Sequence, residues 1–344
     1  MKYITFVVPS YNSEAYLERC IKSLLPGGED VEIIIVNDGS TDNTGKMADM
    51  YASLFPNIVQ AIHKENGGHG SGVNVGIERA SGIYLKVVDS DDWVDEGSYL
   101  ILLNKIKEIV EYSDTTIDLF VSNYVYNRLD QGVFHQINYR NVFDSNEIST
   151  WDDIKYFTVS QYFVMHSLTF RTDILRAAGV KLPEHTFYVD NIFAYQPLPY
   201  VKKLMYLDID FYQYYIGRED QSVNEKSMIK RIDQQFTVTR IVLNSYNIKE
   251  IKEIKKRSPK IAKYMMRHIS ILILVTSILC SLSNSNEYKS EMKKLWIELR
   301  NIDKSLYKQV KYFSLNVVST LPEPISKKVS ISCYRFAKRK YMFS

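Results

Sequence analysis

The chain has 344 residues, 45% of them hydrophobic and 24% charged, with a formal net charge of only +3. That is an ordinary globular composition, long enough for one large domain plus an appendage, or two domains. Its three cysteines, Cys20, Cys280 and Cys333, are odd in number and far apart, which speaks against a disulfide framework or a zinc site and for a reducing compartment.

The small net charge hides an asymmetry. Residues 249–344 hold 21 Lys and Arg against 7 Asp and Glu, a balance of +14, while residues 1–248 hold 22 against 33, or −11. An acidic body with a basic C-terminal third is not a nucleic-acid binder's profile, and no nucleic acid is expected as a partner. The basic third suits an anionic membrane surface or a phosphate-bearing lipid, with a solvated lysine-rich helical face as the alternative.

Taken in chain order, the first 110 residues alternate strand and helix signals. The apolar run 3–8 predicts a strand and is too short for a signal peptide, which points to the cytosol. Ser13 is placed to cap a helix reaching about Leu25, stopped by Pro26-Gly27-Gly28. The apolar run 31–36 reads as a strand buried on both faces. Ser40 is placed to cap a second helix that ends before Pro56. A third strand follows at 58–62, a glycine-rich turn and helix at about 71–80, and a fourth strand at 84–88. Strands separated by such helices imply a parallel sheet with right-handed crossovers. In such sheets ligands bind beyond the carboxyl ends of the strands, so loops 9–12, 37–40 and 89–92 should converge on one edge.

From 115 to 220 the pattern loosens. Short strands are expected at 119–126 and 166–170, and helices near Trp151, from Thr172 and from about Asp190; 203–216 alternates as strand. Residues 227–315 read as mainly helical. Positions 269–282 are apolar throughout, short of the ~20 residues that span a bilayer. A buried helix is the reading there, with interfacial insertion as the alternative.

The most chemically loaded stretch is Asp89-Ser90-Asp91-Asp92. Carboxylates this close raise one another's pKa unless a cation neutralises them. Hard oxygen donors at a strand end suit Mg2+ or Mn2+, above all when a diphosphate completes the coordination. A plain acidic turn is the bland alternative.

The segments Val7-Val8-Pro9-Ser10-Tyr11-Asn12 and Ile35-Val36-Asn37-Asp38-Gly39-Ser40-Thr41-Asp42 resemble the donor-binding start of family 2 glycosyltransferases. The similarity continues through Asn66-Gly67-Gly68, Asn74-Val75-Gly76 and the acidic cluster to Phe187-Tyr188-Val189-Asp190-Asn191 and Gly217-Arg218-Glu219-Asp220-Gln221-Ser222, covering roughly 3–224. The resemblance implies an α/β, Rossmann-like GT-A domain with a mainly parallel, mixed sheet at 1–224. Within it, 1–110 would bind nucleotide and 111–224 the acceptor, and 225–344 would be a basic, mainly helical region.

It also implies roles. Tyr11 would stack on a uracil, with Pro9 shaping the turn, and Asp38 would accept from the base. Asp89 would face the ribose, and Asp91 or Asp92 would hold Mg2+ or Mn2+. Asp190 would be the general base of an inverting transfer. Arg218 and Ser222 would reach back to the diphosphate, for which an arginine fork is well suited, or close over the donor. The glycine-rich stretch 67–72 resembles a phosphate cradle but is no Walker sequence, since no Gly-Lys-Ser/Thr follows. Two positions depart from the family: Val189 stands where a glutamate is common, and Val73 where an arginine is.

The implied activity moves a sugar from a nucleotide-sugar donor, UDP-linked, to a hydroxyl of a glycan or lipid-linked saccharide acceptor. The setting would be cell-surface polysaccharide synthesis, in the cytoplasm or peripherally at the inner face of the membrane. The alternatives are a nucleotide-sugar-binding scaffold without turnover and a sugar-phosphate nucleotidyltransferase. A processive synthase is disfavoured by the lack of a Gln-x-x-Arg-Trp segment.

Overall fold

Four apolar runs form the parallel half of a sheet: β1 (Ile4–Ser10), β2 (Val31–Asp38), β3 (Val59–Lys64) and β4 (Tyr84–Val87), side by side in the order β3-β2-β1-β4. All seven residues of β1 are buried, as a continuous Val/Ile-rich run between two helical layers requires. β1 and β2 pair from Ile4↔Val31 to Ser10↔Asn37, so both strands end level with each other. The computed structural model describes residues 1–129, 131–158, 161–217 and 224–341. The chain divides into a first unit of Met1–Phe157 with Phe163–Tyr215, and a second of Thr158–Tyr162 with Ile216–Ser344.

The crossover helices are α1 (Leu17–Leu24), α2 (Thr44–Leu54) and α3 (His69–Arg79). Two start later than their expected caps. Ser13 closes a turn through its carbonyl, which accepts from the amides of Tyr16 and Leu17, and its hydroxyl is used elsewhere. Ser40 likewise lies in a turn, and α2 begins where the Asp42 carboxylate accepts from the Thr44 amide at 2.9 Å.

The glycines of α3 serve packing. A Cβ on Gly76 would meet Val7 Cγ1 at 2.1 Å, and one on Gly72 would meet Pro9 Cβ at 2.9 Å, so these glycines let the helix lie directly on β1. Gly70, Gly72 and Gly76 thus belong to the helix and its buried face. Gly76→Ala is expected to destabilise the protein by about 1–3 kcal/mol through overpacking, read as a lower urea midpoint with an unchanged slope.

Beyond β4 the sheet becomes mixed. Among the described residues, β5 (Trp93–Val94), β6 (Leu119–Arg128), β7 (Val133–Ile137), β8 (Ile148–Ser149), β9 (Leu168–Arg171) and β10 (Leu204–Tyr215) complete ten strands. β9 runs antiparallel to both β4 and β6, and β10 runs parallel to β6. The order is β3-β2-β1-β4-β9-β6-β10-β5. The register of β10 slips between Leu207 and Tyr212, leaving Asp208 and Asp210 on a bulge where the Asn123 amide donates to both, at 2.9 and 3.0 Å.

Helices α4 (Glu96–Tyr112), α5 (Thr172–Ala177) and α6 (Asp190–Tyr195) complete this unit. The helix expected near Trp151 is only a turn. The Asp153 carboxylate accepts from both the amide and the hydroxyl of Thr150, each at 2.7 Å, closing the turn on itself. Trp151 is buried with its indole N–H on the Val201 carbonyl.

The second unit is helical, as expected: α7 (Glu225–Lys230), α8 (Ile232–Asn244), α9 (Ile248–Arg257), α10 (Pro259–Ser283), α11 (Asn286–Ile302), α12 (Lys304–Lys311) and α13 (Glu323–Tyr341). By length and composition α10 could cross a membrane, with a mean hydropathy of 1.8 over its most apolar stretch. Here it is the core of its unit. Ile269, Leu272, Ile273, Leu279 and Cys280 are buried, and α8, α9, α11, α12 and α13 pack around it. Arg267 turns back to the carbonyls of Thr158 and Gln161, tying that short segment to α10.

Candidate active site

The three loops expected to converge do meet, through named hydrogen bonds. The Asn12 amide donates to Ser40 Oγ at 3.0 Å, and the Thr41 amide to Asn12 Oδ1 at 2.9 Å. The Ser13 and Ser90 hydroxyls lie 2.7 Å apart. Asn12 holds φ at 47°, a left-handed conformation that asparagine tolerates better than most residues. Tyr11 stands at the rim of this junction with its ring exposed, and Pro9 is buried beneath it under Gly72.

Asp38 is not open to solvent. It is 2% exposed, and its carboxylate accepts from Lys64 Nζ at 2.7 Å and from the amides of Gly67 and Gly68 at 2.9 and 2.7 Å. The Gly67 carbonyl in turn accepts from the His185 amide at 2.7 Å. Asn74 fastens the same outer loop through reciprocal bonds to the backbone of Leu182, at 2.8 and 2.9 Å. Asp38 therefore organises a chain of contacts from the end of β2 to the loop that delivers Asp190. The buried carboxylate stabilises the turn whose glycine, Gly68, needs φ of 82°.

The acidic cluster separates into distinct environments. Asp89 Oδ1 pairs with His69 Nε2 at 2.8 Å. Burial opposes ionisation of Asp89, but His69, His166 and Lys86 outweigh it and hold the carboxyl below its ordinary range. The same pairing raises His69, against the desolvation it suffers. Asp92 is fully buried: Oδ2 accepts from the Tyr212 hydroxyl at 2.6 Å and Oδ1 from the Tyr215 amide at 2.8 Å. Burial, then its neighbours Asp91 and Asp89, push its pKa well up. Asp91 is half-buried, and its carbonyl is fixed by Arg19 Nη2 at 2.7 Å, the guanidinium lying 4.0 Å from the Trp93 ring centre.

Asp190 opens α6 just after Tyr188, which holds φ at 65°. Burial raises its carboxyl to about 6; His69 opposes that shift and Asp89 adds to it. Asp190 thus shares an electrostatic environment with residues roughly a hundred positions earlier. Ligand atoms of Asp89, Asp92 and His166 all lie within 4.8 Å of one another, but both Asp92 oxygens there already accept from Tyr212 and Tyr215. Asp91, the other carboxylate of hard-donor type suited to Mg2+ or Mn2+, stands outside this group. Arg218 and Ser222 lie outside the described residues.

Several members of the site carry no conspicuous sequence signal. Lys86 is fully buried in β4 and donates to the carbonyls of Met165, His166 and Leu168; a lysine inside an apolar strand was the available clue. His166 sits with its ring 4.5 Å from Tyr212 and 4.7 Å from Tyr214, and burial lowers it to about 4. Tyr126 and Tyr214, with ring centres 5.4 Å apart, extend the aromatic wall. Together these groups offer a carboxylate base near neutrality, an exposed aromatic rim and an anion-rich edge for a cation.

Residues 5–167 match the family model for glycosyl transferase family 2. EpsH of Bacillus subtilis (strain 168), a glycosyltransferase by assignment, is 27% identical over 332 residues, covering 93% of this chain and 87% of that protein. The poly(ribitol-phosphate) beta-glucosyltransferase of Bacillus spizizenii (strain ATCC 23059 / NRRL B-14472 / W23) is 29% identical over 223 residues, 63% of this chain but 32% of that longer protein. Among solved structures, S. aureus TarS 1–349 in complex with UDP-GlcNAc superposes with a TM-score of 0.65 at 19% identity, covering 98% of this chain and 92% of that one. That likeness establishes a shared GT-A fold.

Proposed function

We propose that this chain, whose residues 5–167 match the family model for glycosyl transferase family 2, is an inverting, metal-assisted enzyme of cell-surface glycan synthesis. It takes a UDP-linked sugar as donor and a hydroxyl of a lipid-linked saccharide as acceptor, at the cytoplasmic face of the membrane. The observation that carries this reading is Asp190. Its carboxyl is poised at about 6 beside the Asp89–His69 pair, where a general base for a hydroxyl works well near neutral pH.

In this reading the acceptor hydroxyl gives its proton to Asp190 as its oxygen attacks the anomeric carbon, and the nucleoside diphosphate leaves from the opposite face. Tyr11 stacks on the base from the rim. Asp38, 2% exposed, contributes through the Gly67-Gly68 turn it holds. Asp89, kept ionised by His69, accepts from the donor's ribose. Asp91 is the side chain assigned to Mg2+ or Mn2+, because both Asp92 oxygens already anchor β10. The ion would neutralise charge on the departing diphosphate.

UDP as the nucleotide rests on the shared fold with TarS, whose structure holds UDP-GlcNAc. The surface-glycan setting rests on the relative named for poly(ribitol-phosphate) glucosylation. Thermal melting with UDP, UDP-GlcNAc, GDP-mannose and ATP, each with and without Mn2+ or Mg2+, tests the donor. A uridine nucleotide at ~100 times its Kd should stabilise the fold by about 2.7 kcal/mol, and more with metal than without. Stabilisation by ATP alone would contradict the reading.

A further inference from the structure

We propose that the C-terminal segment 304–341 is a docking surface for an anionic lipid bilayer. The segment carries nine Lys and Arg and a single acidic residue, Glu323. Within the same stretch Tyr312, Leu315, Leu321, Ile325 and Phe336 are exposed, Tyr312 at 63%, Ile325 at 52% and Phe336 at 68%. Isolated surface leucines need no explanation, but a succession of large apolar side chains among basic ones does.

The backbone holds this apolar material outward. Between α12 and α13 a turn of 3-10 helix, Ser314–Thr320, is fastened to α10 by Asn316, whose buried amide donates to the Ser270 carbonyl at 2.9 Å. Val318 is buried beside it, and the Phe313 ring lies under the Arg267 guanidinium at 5.6 Å. With Asn316 and Val318 directed inward, Leu315 is directed outward. On α13, Ile325 and Phe336 are eleven positions apart, about three helical turns, so they share one face. Lys328 and Arg335 are exposed on the flank of that face.

Charge decides the occupant. A second copy docking by the same surface would set the exposed Lys304, Lys308, Lys328 and Arg335 of one copy against those of the other, which disfavours a symmetric dimer. Leucine, isoleucine and phenylalanine interleaved with lysine suit the boundary between headgroups and acyl chains, where aliphatic groups insert and basic ones meet phosphate. The basic C-terminal third thereby gains a specific apolar component, separate from α10, the core helix of its unit. The inference goes beyond the transfer reaction and needs no donor, so its failure is separate from a failure of the site.

The test is sedimentation of the full chain with vesicles of phosphatidylcholine alone and with about 30% phosphatidylglycerol. Binding is expected only to the anionic vesicles and should weaken as salt rises. Ile325→Ser with Phe336→Ser should lower the partition coefficient roughly tenfold or more by removing inserted apolar groups, as should Lys328→Glu with Arg335→Glu. Leu315→Ser is an independent third variant on a different element. All three should melt and bind nucleotide as the wild type does. Absence of wild-type binding, equal binding to neutral vesicles, or variants that bind unchanged would overturn the proposal. So would a wild-type dimer in sedimentation equilibrium that Ile325→Ser with Phe336→Ser dissociates.

Discussion

Asp91→Asn is expected to lower sugar transfer by roughly two to four orders of magnitude, the several kcal/mol that a bound divalent ion supplies to a leaving group. Its melting temperature should stay near that of the wild type, because Asp91 is half-buried where Asp92 is fully buried. The contrast with its neighbour is the informative part. Asp92→Ala would leave the Tyr212 hydroxyl and the Tyr215 amide without their acceptor in a fully buried position. An unsatisfied buried group costs about 1–3 kcal/mol, so Asp92→Ala should melt several degrees lower, at ~2–4 °C per kcal/mol for a chain of this size. Two adjacent carboxylates should therefore fail differently, one in turnover and one in stability. Equal loss of stability in both variants would break the assignment of Asp91 to the metal.

Asp190→Asn is the second large effect, with transfer falling by about 10²–10⁴ while the thermal shift given by nucleotide is retained. The pH dependence follows from its raised carboxyl. A general base must be ionised, so activity should be lost as pH falls through about 6 and reach a plateau above it. The cause is chiefly burial, moderated by His69 and reinforced by Asp89. His69→Gln, which removes the opposing cation, should move the acid limb to higher pH. In Asp190→Asn the residual rate should lose that limb. An unchanged limb near 6 in this variant would assign the titration to another group.

The parallel half of the sheet was legible because its signals are local. The runs 3–8, 31–36, 58–62 and 84–88 each appear within one or two residues of β1 to β4, since β-branched continuity reports burial on both faces directly. The meeting of the loops at 9–12, 37–40 and 89–92 followed from topology alone. Helix starts were less legible: Ser13 and Ser40 are good cap residues whose side chains were recruited instead by Ser90 and Asn12.

What the sequence could not show depends on contacts between distant positions. The bonds from the amides of Gly67 and Gly68, 29 and 30 residues later, to the carboxylate of Asp38 leave no mark in its strand-end loop. The asymmetry between Asp91 and Asp92 depends on Tyr212 and Tyr215, more than a hundred positions away. The bulge at Asp208–Phe211 depends on an alignment with β6 that no local pattern encodes. The patch around Ile325 and Phe336 was visible only as charge, because exposure of an apolar residue is a property of the packed unit.

Inverting transfer is a single displacement at the anomeric carbon, with Asp190 taking the incoming proton. Proton NMR of the sugar first released from UDP-GlcNAc in the presence of metal, with water as the incoming hydroxyl, tests it most directly. The β-anomer should appear first and equilibrate only later by mutarotation, and Asp190→Asn should remove this signal. The α-anomer as first product would show retention and contradict it.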